Sequence, residues 1–342
     1  MPATHISTDI RLTQLTHWLA ALPDSPVLTD TLRPASADAS FRRYFRVDTV
    51  AGGTLIVMDA PPPQEDVRPF LHVAAVFSDT GASVPQIIAQ NIEQGFLLLA
   101  DFGSTTYLQQ LNADNAHAMY MDAIDALILL QTQSQPDVLP EYDRAMLLRE
   151  LKLFPEWYIG KHLNATLSPK QNEMLDKVFD TLLANNMAQT QVYVHRDYHS
   201  RNLMVLSEGN PGMLDFQDAV YGPITYDLVS LLRDAYVQWD EELVLDWSIR
   251  YWERARRAGL QVAPDIDSFY RDFEWMGLQR HLKILGIFAR LHHRDGKDAY
   301  LKDLPLVMDY VLRTARRYPM LMPLVRVLEQ LENKQPQVGY TF

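Results

Sequence analysis

Val194-His195-Arg196-Asp197-Tyr198-His199-Ser200-Arg201-Asn202-Leu203 is the stretch on which the reading of this chain turns. It holds the pattern His-x-Asp-x-x-x-x-Asn, with apolar, strand-like residues at each end. Farther on comes Leu214-Asp215-Phe216, a second apolar run that carries a single acid. Phosphoryl transfer asks for this set of side chains, because the protein's part in it is mostly positioning and charge neutralisation. One carboxylate must accept the proton of the attacking hydroxyl or orient it, the role read for Asp197. An amide oxygen and a second carboxylate must hold Mg2+ on the phosphates of ATP, and Asn202 and Asp215 are hard oxygen donors of that kind. Asp and Asn also serve as ordinary cap and turn formers. The added acid at a strand end, and strand context on both sides of the loop, weigh against that plainer reading.

Outward from this stretch the two directions differ. Towards the N-terminus, residues 7–22 repeat Leu15, Trp18, Leu19 and Leu22 at helical spacing, and a Pro-rich break follows at Pro23 and Pro26. Residues 41–47 alternate apolar and basic side chains, Ala51-Gly52-Gly53 supplies a turn, and residues 54–58 are β-rich, so a hairpin is predicted. A helix is expected over 67–80, and strands over 86–89 and 96–99. From Ser104 onward long helical patterns dominate: 116–133, 144–162, 168–185, 224–239, 243–258, 266–293 and 304–317. Short strand-like segments interrupt them at 192–194, 203–206 and 213–216. The expected architecture is α+β and bilobal. Residues 1–100 form a small β-rich, nucleotide-binding lobe, and residues 101–342 a large, mostly helical lobe with the catalytic loop and acceptor site.

Composition narrows the function classes. Of 342 residues, 47% are hydrophobic, which suits a packed protein rather than a disordered one. The formal net charge of −12 argues against a nucleic-acid partner, which would demand a basic footprint. The absence of cysteine excludes disulfides, thiolate metal sites and a thiol nucleophile, and fits a cytoplasmic location. No basic segment followed by an apolar core opens the chain, and the apolar runs are much shorter than a membrane span. A small-molecule substrate is expected, with no membrane association and no obligate protein partner evident.

The catalytic-loop pattern is similar to that of protein kinases, and Asp215-Phe216 resembles the start of their magnesium-binding motif. Together the two more closely resemble the aminoglycoside/choline phosphotransferase family, over about residues 32–317, which implies a protein-kinase-like fold. In that family an Asp in a later Tyr-Asp-Leu segment braces the catalytic loop, and Tyr226-Asp227-Leu228 matches it. The resemblance also implies a structural, loop-bracing role for His195. It sets His199 where protein kinases place a lysine that meets the γ-phosphate. Within the family, Asp38-Ala39-Ser40-Phe41-Arg42-Arg43-Tyr44-Phe45, Val57-Met58-Asp59-Ala60-Pro61-Pro62, Asp215-Phe216-Gln217-Asp218-Ala219 and Gln279-Arg280-His281 look like the anomeric sugar kinases. Those enzymes phosphorylate N-acetylmuramate and N-acetylglucosamine for cell-wall recycling.

Two departures matter. The expected nucleotide loop, 36–43, has no glycine, though Ala37, Ala39 and Ser40 are small enough for backbone N–H groups to approach phosphates. Where a kinase carries its strand lysine stands Met58, which cannot pair with phosphate. Arg43, or Arg42 as the alternative, is expected to supply the missing charge. Alternation sets Phe41, Arg43 and Phe45 on one face and Arg42, Tyr44 and Arg46 on the other, and the first face is expected to look onto the phosphates. The short interval between Asp215 and Asp227 favours a small acceptor over a peptide. The helix over 275–294 carries Arg280, His281, Lys283, Arg290, His292, His293 and Arg294, a basic run that is one candidate acceptor wall, with Arg280 and His281 the residues favoured. Glu156 and Trp157 are another, although aromatic clusters in helices are more often core. Two rivals stay open: a kinase of the same fold for choline, homoserine or another sugar, and a nucleotide-binding pseudokinase without turnover.

Overall fold

The computed structural model describes residues 9–23, 26–37 and 41–332. The chain divides into two compact units, Met1–Thr105 with Met204–Asp218, and Thr106–Leu203 with Ala219–Phe342.

In the first unit, α1 (Ile10–Ala20) begins at Asp9, whose carboxylate accepts from the Leu12 N–H at 3.0 Å. Strands β1 (Val27–Ala37), β2 (Arg43–Thr49) and β3 (Thr54–Asp59), helix α2 (Arg68–Asp79), and strands β4 (Ile87–Asn91) and β5 (Phe96–Ala100) follow. The strands make one antiparallel sheet in the order β1-β2-β3-β5-β4. Strand β1 lies beyond the Pro-rich break, where no strand is readable from the sequence. It holds Pro34, which an edge strand tolerates, and its pairing with β2 is irregular between Pro34 and Ser36. Phe45 and Val47 of β2 pack with Val57, Leu98 and the α1 residues Leu15 and Leu19 into a buried core. The face of β2 that carries Phe45 is therefore the one α1 covers.

The second unit begins with α3 (Tyr107–Gln110), α4 (Ala116–Thr132) and α5 (Arg144–Leu153), followed by a π-helical segment, Phe154–His162, and α6 (Pro169–Met187). The single helix expected over 144–162 changes its winding at Pro155, which has no N–H to continue the α pattern. Short strands β6 (Gln191–Val194), β7 (Leu203–Met204), β8 (Gly212–Met213) and β9 (Val220–Pro223) pair β6 with β9 and β7 with β8. Helices α7 (Tyr226–Leu232), α8 (Glu241–Arg257), α9 (Ile266–Asp295), α10 (Leu304–Arg317) and α11 (Met322–Glu332) follow among the described residues. Helix α9 runs through the middle of this unit with Leu278, Leu282 and Leu285 fully buried, packed on α5, α7, α10 and the π-helical segment. Gly286 permits that approach: a Cβ there would lie 2.5 Å from the Leu153 carbonyl carbon. Helix α7 is shorter than the expected 224–239, since the Asp234 carboxylate captures the Tyr236 N–H at 3.1 Å and competes with helical bonding. Among the described residues no helix is long and apolar enough to cross a membrane.

The segment Met204–Asp218 departs from the expected division at residue 100, because it packs with the β-rich unit. Val205 N–H donates to the Thr105 carbonyl at 2.9 Å and Met213 N–H to the Ser83 carbonyl at 2.7 Å. The buried Phe216 ring lies 4.8 Å from Phe70 and 6.0 Å from Phe77, centroid to centroid. Asp215 thus belongs to the same unit as the five-stranded sheet.

Candidate active site

Asp227 anchors the catalytic loop of the second unit. It sits fully buried in the first turn of α7, and its two oxygens accept from the backbone N–H groups of His195 (2.6 Å) and Arg196 (3.0 Å). Arg196 has a φ of 75°, a conformation disfavoured for any side-chain-bearing residue, and those two bonds help to hold it. Burial pushes the Asp227 carboxyl up to about 7, against the pull of the two N–H donors and the Arg280 charge. The His195 ring is fully buried, edge-on to Tyr198 at 5.7 Å, and Tyr198 in turn donates to the Ala123 carbonyl at 2.8 Å. That places the His195 ring with the core side of the loop.

The rest of the loop folds onto the Asp197 carbonyl, which accepts from the His199 N–H and the Asn202 side-chain amide, both at 3.0 Å. Asp197 lines a cavity of about 80 Å³ with His199, Asp234, Tyr236, Arg280 and Lys283. Burial would raise its pKa, but Lys283, His199, Arg280 and Arg196 outweigh it and hold the carboxyl below the usual range. Burial lowers the pKa of His199 despite the attraction of Asp234 and Asp197, so its imidazole is neutral near pH 7.

Beneath the loop lies a charge network that sequence reasoning did not find. Glu150 of α5 pairs with Arg196 at 2.5 Å and Lys283 at 3.0 Å, and accepts from the Tyr142 hydroxyl. Lys283 also donates to the Tyr226 hydroxyl at 3.0 Å. Asp234 accepts from the N–H (3.0 Å) and hydroxyl of Ser200. No motif marks Glu150 or Asp234, because each acquires its role through packing between distant segments. Arg280 and Lys283 sit at i and i+3 and so share a helix face.

Other expected acceptor contacts fall elsewhere. His281 is fully buried on another side of α9, where its Nε2 meets the Arg233 carbonyl at 3.0 Å and its ring stacks on Tyr310 at 4.8 Å. Burial drives its pKa down to about 3, so it is a neutral core residue. Glu156 is exposed and Trp157 half-exposed on the π-helical segment, and neither lines the cavity with Asp197. His293 and Arg294 of the basic run are likewise exposed.

In the first unit Asp215 follows β8 with a φ of 62°, and its Oδ1 accepts from the Gln217 amide at 2.8 Å. Arg42 donates to Glu65 at 3.3 Å; burial disfavours its charge, but Tyr44, Glu65 and Asp215 together hold it firmly ionised. Arg42 therefore stands in the field of Asp215. Arg43 is engaged on the α1 face, donating to Asp59 at 2.9 Å and pairing with Asp9, while Arg11 reaches the same buried Asp59 at 3.1 Å. The face of Arg43, expected to look onto the phosphates, is the one on which α1 packs. Arg46 pairs with Asp101 at 2.5 Å, and Met58, opposite Tyr44 in the ladder, is fully buried. Ser40 lies outside the described residues.

Comparison with known proteins finds relatives over nearly the whole chain. The N-acetylmuramate/N-acetylglucosamine kinase of Neisseria meningitidis is 49% identical over 337 residues, covering 97% of this chain and 99% of that protein. The protein of the same name from Pseudomonas aeruginosa is 47% identical, covering 95% and 98%. Among solved structures, an amicoumacin kinase in complex with AMP-PNP and Ca2+ has a TM-score of 0.63 at 14% identity, covering 92% of this chain and 95% of that one. An ADP-bound aminoglycoside phosphotransferase has a TM-score of 0.54 at 14% identity, covering 90% and 99%. At those identities they speak for the fold alone, which is the bilobal kinase-like one. The model of the phosphotransferase enzyme family, APH, matches residues 31–260, and the chain belongs to that family.

Proposed function

We propose that this protein transfers the γ-phosphoryl group of ATP to the anomeric hydroxyl of N-acetylmuramate and N-acetylglucosamine, a step of peptidoglycan recycling in the cytoplasm. The observation that carries the reading is Asp197, an ionised carboxylate on a braced loop, in a residue that lines a cavity of the second unit. The near full-length relatives supply the choice of sugar.

Asp197 accepts the proton of the attacking hydroxyl and aims its oxygen at the phosphorus. Neutral His199, beside it, donates a hydrogen bond to the transferring group. Asn202 and Asp215 would hold Mg2+, and the donor set fits that ion. Both offer hard oxygens of the kind Mg2+ takes. When bound, Mg2+ neutralises phosphate charge. The lysine missing at Met58 is replaced by Arg42 rather than Arg43, because Arg42 shares its surroundings with Asp215. Arg42→Ala should then lower turnover by about two to three orders of magnitude, as losing a phosphate clamp does. Arg43→Ala should instead lower the melting temperature, since buried Asp59 loses a partner worth about 1–3 kcal/mol. The pair of variants decides between the two arginines: lost turnover with an unchanged melting curve in Arg43→Ala would reverse the assignment.

The direct test supplies ATP, Mg2+ and a panel of N-acetylmuramate, N-acetylglucosamine, choline and homoserine, and reads products by phosphorus NMR. An anomeric sugar phosphate that appears only with Mg2+ is expected. Phosphorylation of choline or homoserine alone refutes the acceptor, and nucleotide binding without any product favours the pseudokinase.

A further inference from the structure

Helix α9 brings two cations to the cavity beside Asp197, and they differ in their partners. Lys283 is occupied by Glu150 and the Tyr226 hydroxyl, each at 3.0 Å. Arg280 is only 4% exposed, yet among the described residues its buried Nε and Nη1 meet no hydrogen-bond acceptor. The two carboxylates that share the cavity do not claim it. Asp234 is taken by Ser200 and the Tyr236 N–H, and Asp197 feels Arg280 only as a charge through space. A buried guanidinium with unmet N–H groups is expensive, and in a native structure it has a cause, such as a water, an ion or a ligand that completes it. The planar fork of donors matches a carboxylate in two parallel bonds.

Arg280 shares its cavity with Asp197, so a ligand of Arg280 is an arm of the acceptor that Asp197 attends. Of the two sugars named above, N-acetylmuramate bears a lactyl arm ending in a carboxylate, and N-acetylglucosamine bears a hydroxyl at the same carbon. We infer that Arg280 binds the lactyl carboxylate of N-acetylmuramate and so sets the preference between the acidic and the neutral sugar. This rests on the function proposed above.

The test is the ratio of kcat/KM for N-acetylmuramate to that for N-acetylglucosamine, in the parent and in two variants. Arg280→Met keeps the bulk and removes the charge; the ratio should fall about 10- to 100-fold, the range for losing hydrogen bonds to a charged group, chiefly through KM for the acidic sugar. Arg280→Lys keeps the charge but not the fork and should lose less of the ratio. It also decides the matter if Arg280→Met fails to fold. An unchanged ratio, with both sugars losing equally, overturns the inference and leaves Arg280 acting on Asp197 or on the transferring phosphate. A parent that phosphorylates neither sugar brings down the proposed function first, a result distinguishable from that one.

Discussion

Asp197→Asn should lower turnover by about 10²- to 10⁴-fold, the worth of general-base assistance, while ATP binds within a few-fold of the parent affinity. The expectation is sharp because the substitution is nearly isosteric and the loop does not depend on the carboxylate. The bonds from His199 and Asn202 end on the Asp197 carbonyl, and the loop's anchor is Asp227. The variant should therefore fold and bind nucleotide normally. The lowered pKa adds a second signature: the acid limb of the parent's pH–rate profile should lie below the ordinary carboxylate range, with Asp197 ionised at all higher pH. Single-turnover rates and a nucleotide titration on the same preparation measure both. Near-normal turnover would remove Asp197 from the mechanism.

Asp215→Ala should abolish the magnesium dependence of nucleotide binding. Losing a ligand bound directly to the ion should cost at least the 10- to 100-fold typical of disturbing an outer-shell partner. The backbone at Asp215 has a φ of 62°, which alanine tolerates poorly, so a loss in the alanine variant alone would be open to a folding explanation. Asp215→Asn answers that objection, because asparagine accepts this conformation and keeps one oxygen. It should fold as well as the parent and bind MgATP more weakly. Calorimetric titration of ATP with and without Mg2+ reads the effect. An Asn variant with unchanged affinity and unchanged magnesium dependence would refute the assignment.

How legible each part was in the sequence follows from how local its cause is. Asp197, Asn202 and Asp215 are candidates because one loop and a following strand end leave a linear pattern, whereas Asp227 is a candidate through the resemblance of Tyr226-Asp227-Leu228 to the family's segment. The hairpin of β2 and β3 was legible because alternation and a Gly-Gly turn are local signals. Alternation separates Arg42 from Arg43 but does not say which face α1 will cover. Glu150 is nearly fifty residues from Arg196 and more than a hundred from Lys283. A network of that reach leaves no periodic trace. His281 and Arg280 are neighbours that α9 turns to different sides, the first to Tyr310 and the second to the cavity. A charge run read without its helical phase cannot part them.

Because Met204–Asp218 packs with Met1–Thr105, the first unit is not a continuous stretch of chain. During synthesis the ribosome must make the whole of 106–203 before Met213 can reach Ser83, or Phe216 the rings of Phe70 and Phe77. At about 5–20 residues per second that interval lasts roughly 5–20 s, long compared with the folding of a small sheet. Phe70 and Phe77 stay without Phe216 until residue 216 has left the exit tunnel. The nascent sheet is thus a natural client for a holdase over that interval. A gene cut at residue 105 would yield the same unfinished fragment permanently.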